Sequence, residues 1–113
     1  MIKSFRDKDT QAIANRKRDV PPVHPGEVLL EEFMKPVGLN THQLAMALRV
    51  PPNRISQIIG GERAVSADSA LRLARYFGTT PDFWLGLQMK FDLDKARDEL
   101  IAEIERDVHP RAA

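Results

Sequence analysis

From Pro25 onward, apolar residues return at three- and four-residue steps, the spacing of one face of a helix. Pro25 takes a first helical position, with Glu27 near the positive end of the dipole, and Val28, Leu29 and Phe33 give the inner face. Pro36 and Gly38 close that helix. Asn40 or Thr41 can cap a second helix running through Leu48, with Leu44, Ala45 and Leu48 inward. Pro51-Pro52 opens a third, in which Ile55, Ile58 and Ile59 form the apolar stripe and Gly60-Gly61 is the stop. Ser66 caps a fourth with Leu71, Ala74 and Phe77 inward and Gly78 as terminator. Thr80-Pro81-Asp82 starts a fifth that carries Phe83, Trp84, Leu87 and Phe91. A last segment has Leu93, Ala96, Leu100, Ile104 and Val108, with Ile101 beside them, and reads as an amphipathic helix. No strand alternation follows residue 22. The pattern predicts an all-α, compact bundle of five to six helices.

The first 22 residues differ. They are polar with weak periodicity, and Val20-Pro21-Pro22-Val23 breaks any helix. They read as a basic N-terminal arm, with a short strand at Ile2–Phe5 or a helical turn near Gln11–Ala14. The predicted organisation is an arm over 1–22, a compact domain over 23–92, and a helix with its tail over 93–113. A net charge of +1 conceals an asymmetry: residues 1–20 and 41–75 are each net +3, and residues 92–113 are net −3. A basic middle with an acidic tail suits a protein that meets phosphate through one face.

The informative stretch is Thr41–Ile58. Two short helices flank a tight turn. Ala45 is small where the helices must cross closely, Val50 is the apolar plug of the turn, and Ile55 and Ile58 supply the inward side of the second helix. Together these fix the crossing of a helix-turn-helix. Arg49 occupies a turn position whose backbone tends to positive φ, where Gly is usual, at a cost on the order of 1 kcal/mol. With the isoleucines inward, Asn53, Ser56, Gln57 and Gly60 form the outward stripe. Asn and Gln can bond an adenine edge through two bonds, and Ser can meet several bases. Arg54, on the flank, can reach guanine or phosphate. Arg63, in the following loop, is a candidate phosphate contact, and Thr41 and Gln43 at the start of the second helix can offer N–H groups to another phosphate.

Other chemistry is poorly served. There is no cysteine, which excludes disulfides, thiolate catalysis and Cys-ligated zinc, and fits a reducing cytoplasm. His24, His42 and His109 form no ligand spacing, so no metal and no cofactor is expected. No nucleophile–base pair is visible and no carboxylate pair sits in an apolar setting, so no enzyme and no small-molecule substrate is expected. No apolar run approaches the roughly 18 residues of a membrane span. Phe83, Trp84 and Leu87 can serve a dimer interface as well as the core, because a palindrome reader needs a twin subunit. A protein-interaction module without a DNA role is the alternative reading.

On these residues the chain resembles the phage-repressor-like helix-turn-helix family, and within it the HigA-type antitoxins. The resemblance runs from about Pro21 to the C-terminus. It is carried by Pro22-Val23-His24-Pro25-Gly26-Glu27, Pro51-Pro52-Asn53-Arg54-Ile55-Ser56, Ser66–Ala74 and Phe77–Leu85. It implies a homodimer that binds a palindromic operator and represses its own operon. It also implies a cognate HigB-type toxin, a RelE-like mRNA-cleaving ribonuclease, as partner. Met1-Ile2-Lys3-Ser4-Phe5-Arg6 departs from that pattern and looks like the opening of a HigB-type toxin.

Overall fold

A computed structural model describes residues 21–112 of the chain. The arm with its expected strand or helical turn, and the toxin-like opening, lie outside the described residues. Among the described residues the chain forms five helices and no strand. Residues 23–93 make one compact unit, and the residues from Asp94 on fall outside it.

The first helix, α1, is composite. An α-helical turn over Pro25–Val28 passes into a π-helical stretch over Leu29–Met34 and a 3-10 turn over Lys35–Val37. His24 is its N-cap: Nδ1 accepts a 2.9 Å hydrogen bond from the Gly26 N–H. The widening has a local cause in Pro36, which lacks an N–H and whose ring would strike the carbonyl four residues back in a regular helix. Lys35 N–H instead reaches the Leu30 carbonyl, and Gly38 ends the element in the left-handed region at φ 73°.

Helix α2 (Thr41–Leu48) is capped by Asn40 rather than Thr41. Asn40 Oδ1 accepts from the Gln43 N–H and Gln43 Oε1 accepts from the Asn40 N–H, a reciprocal capping box. Helix α3 (Pro52–Ile59) follows a turn in which Arg49 takes φ 62°, the left-handed conformation expected there. Helix α4 (Ala67–Phe77) starts at Ser66, whose Oγ accepts from the Ser69 N–H, and stops at the left-handed Gly78. Helix α5 (Pro81–Asp107) starts where Thr80 Oγ1 accepts from the Phe83 N–H.

The core holds Leu29, Met34, Leu44, Ala45, Leu48, Ile55, Ile58, Val65, Ala70, Leu73, Ala74 and Trp84, with Phe33, Val50, Ile59 and Phe77 packed against it. Two expectations are corrected here. Leu71 does not face inward: it is 60% exposed, because the buried stripe of α4 is Ala70, Leu73 and Ala74, and Leu71 sits about 100° away from it. The fifth and sixth elements are a single helix, since nothing between Phe91 and Lys95 is a Gly or Pro that could interrupt it.

Candidate nucleic-acid interface

The position of α3 follows from three constraints. Ile55 and Ile58 are buried, and Ile59 is half-buried against the core. Ala45 is fully buried, and the Val50 N–H donates to its carbonyl at 3.0 Å, closing the turn that leads into α3. The third constraint is Gly26: a Cβ there would lie 1.8 Å from the Ile58 carbonyl oxygen and 2.9 Å from the Ile59 Cα. Only glycine lets α1 approach the end of α3 so closely.

This leaves a polar side facing solvent. Asn53, Ser56 and Gly60 are exposed and Gln57 is half-buried. Ser56 Oγ donates to the Asn53 carbonyl at 3.2 Å, while the Asn53 side-chain amide has no partner among the described residues. Gln57 Oε1 accepts from Arg63 Nε at 2.9 Å, and the Glu62 and Arg63 N–H groups both donate to the Gln57 carbonyl. The loop after α3 therefore folds back on Gln57 and places Arg63 beside it. Gln57 Nε2 stays available as a donor and Oε1 keeps a second lone pair, so a two-bond contact to adenine can form with Arg63 still in place.

Arg54 is placed differently. It is largely covered, and Nη1 pairs with Asp68 of α4. Asp68 also accepts from Arg72 Nε at 3.1 Å, and Arg72 Nη1 donates to the Leu48 carbonyl at the end of α2 at 2.8 Å. The Arg54 and Arg72 guanidinium groups hold the Asp68 carboxyl below the usual carboxylate range. One network thus ties α2, α3 and α4 together. The i,i+4 spacing of Asp68 and Arg72 signals half of it in the sequence; the links to Arg54 and Leu48, which cross between helices, have no local signal. Asp68 occupies Nη1, which leaves Arg54 Nε and Nη2 as its donors toward a base or phosphate.

At the start of α2, Thr41 is half-buried and Gln43 exposed. The Gln43 N–H is already bonded to Asn40, so the N–H groups of Thr41 and His42 and the Gln43 Nε2 are the donors left for a phosphate. Gln88, which sequence reasoning passed over, is buried: its Oε1 accepts from the Val65 N–H at 2.8 Å and its Nε2 donates to Asp92 at 3.0 Å. It holds the loop between α3 and α4 to α5 across 23 residues of sequence.

The residues assigned to a dimer interface separate. Trp84 has no exposed surface: its ring packs 4.9 Å from Phe33 and its Nε1–H donates to Thr79 Oγ1 at 2.8 Å. It is a core residue, closed to a second subunit, because the aromatic cluster with Phe33, Phe77 and Phe83 encloses it. Phe83 remains exposed and Leu87 half-buried. Among the described residues no group of acids and histidines could hold a metal ion, and no helix is long and apolar enough to cross a membrane.

Two short helices, a plugged turn and a protruding polar helix define the chain as a helix-turn-helix protein, and the helix-turn-helix family model matches residues 30–84. Virulence-associated protein I of Dichelobacter nodosus is 48% identical over 83 residues, which cover 74% of this chain and 77% of that protein. Among solved structures, an addiction module antidote protein of the HigA family from Coxiella burnetii superposes with a TM-score of 0.78 at 44% identity, covering 81% of this chain and 100% of that one. Pseudomonas aeruginosa antitoxin HigA, solved with the higBA promoter, has a TM-score of 0.78 at 37% identity, covering 80% and 99%. The chain belongs to the HigA family of helix-turn-helix antitoxins.

Proposed function

We propose that this chain is a sequence-specific DNA-binding repressor and antitoxin that binds a palindromic operator as a dimer and neutralises a RelE-like, mRNA-cleaving toxin in the cytoplasm. The observation that carries the DNA half is the exposed polar side of α3, held out by Ile55 and Ile58 and by the Gly26 contact. In this reading Asn53, Ser56 and Gln57 meet base edges in a major groove, and Arg54 joins them through the guanidinium N–H groups that Asp68 does not engage. Arg63, Gln43 and the N–H groups at the start of α2 meet phosphate and fix the register. Phe83 and Leu87 belong to the face that meets a twin subunit. The promoter bound by the P. aeruginosa relative supports the DNA assignment.

The test is a gel shift on the DNA preceding the chain's own operon against a random duplex of equal length. The expected result is preference for the former by at least about 10³-fold, weakening steeply as salt rises. Equal affinity for both duplexes contradicts the proposal.

A further inference from the structure

The last turns of α5 and the residue that follows them expose an apolar stripe: Leu100, Ile101 and Ile104 are each 43% exposed and Val108, just past the helix, 64%. At 100° per residue these four fall within about 100° of one another. Asp98 and Glu105 flank one side of the stripe, Glu103 and Asp107 the other. Residues 98–107 hold five acids and a single base, Arg106, which pairs with Asp107 at 3.0 Å. Free apolar side chains between two acidic rims are not a solvent face, which at these positions would be polar.

We infer that this end of α5 docks a basic protein surface that has its own apolar ridge, such as an amphipathic helix flanked by Lys and Arg. The charges select this occupant. A second copy of the chain would bring one net −4 segment against another, placing acids opposite acids. A basic ridge would cover the stripe and neutralise both rims. The inference deepens the partner-binding half of the function proposed above and rests on that half; the DNA-binding half stands apart from it.

Two synthetic helical peptides with the same leucine stripe, one rimmed by Lys and one by Glu, serve as probes for isothermal titration against the full chain. The Lys-rimmed peptide is expected to bind at least about tenfold tighter, and less so as salt rises. Ile101→Asp with Ile104→Asp, and separately Glu103→Lys with Glu105→Lys, should each reduce that affinity about tenfold. Glu31→Lys with Glu32→Lys makes the same charge change on α1 and should leave it unchanged. Melting by circular dichroism checks that each variant is folded. Gel shifts on the same variants should keep operator affinity, so a lost peptide preference counts against the surface and not against DNA binding.

Equal affinity for the two peptides overturns the inference, as does an equal effect of the α5 and α1 charge reversals. Self-association that Ile101→Asp with Ile104→Asp abolishes would make a second copy the occupant and also overturn it. A gain in peptide affinity on replacing Arg16, Lys17 and Arg18 with Glu would assign the surface to the chain's own first residues, with the same consequence.

Discussion

Ile55 and Ile58 of α3 are at most 1% exposed, whereas Ile101 and Ile104 of α5 are 43% exposed. Both pairs lie on amphipathic helices with regular apolar spacing. The difference is in what each helix faces. In residues 23–93, α1 and α2 pack against α3, whose inner side joins the core shared with α4, and its polar side is left free. Near its C-terminal end α5 offers a comparable stripe that no described element covers. Periodicity records which side of a helix is apolar, not whether another element covers that side. The covered pair positions a helix; the uncovered pair offers a surface.

The sharpest challenge to this contrast is Gly26→Ala. Its Cβ cannot coexist with the Ile58 carbonyl, so α1 and α3 must separate, at about 3 kcal/mol or with failure to fold. Chemical denaturation measures it, and a loss below about 1 kcal/mol would show that α3 is held by other contacts. Next comes the matched pair. Ile58→Ala should cost about 3 kcal/mol from the lost burial and the cavity. Ile104→Ala should change stability by less than about 0.5 kcal/mol. Similar losses would erase the distinction between the regions.

A smaller effect is expected from pH. Burial holds His24 below its ordinary value of 6.5 against the pull of Asp92, and Nδ1 must stay unprotonated to cap α1. A histidine whose folded pKa is lowered binds a proton more readily when unfolded. Its contribution is complete above about pH 6.5 and is lost as the pH falls toward the folded value. The melting temperature should therefore drop between about pH 7 and 5.5, and less so in His24→Asn, whose amide oxygen still accepts from Gly26. An identical drop in both proteins would remove His24 from the account. The smallest effect is a gain: Arg49→Gly relieves the left-handed backbone at φ 62° and should stabilise by about 0.5–1 kcal/mol. A loss there would mean that the Arg49 side chain makes a contribution larger than the strain.

Much of this architecture was legible in the residues. The caps at Ser66 and Thr80, the terminators Gly38 and Gly78, the turn plug Val50 and the positive φ of Arg49 all follow from local chemistry, which acts within a few positions. Leu71 went astray because two overlapping stripes fit α4, and only its neighbours decide between them. Trp84 went astray because an aromatic suits a core and an interface equally, and enclosure is a tertiary fact. Gly26, Gln88 and the bond from Arg72 to Leu48 join positions 23 or more apart, where sequence carries no local signal. The polar stripe of α3 was visible as composition, but its ties to Arg63 and Asp68 were not.

The most direct test is operator affinity of the double variant Asn53→Ala, Gln57→Ala, measured beside its melting temperature. The account predicts that melting is unchanged while affinity for the operator falls at least about tenfold and affinity for random duplex is kept. Undiminished operator affinity in a folded double variant would contradict it.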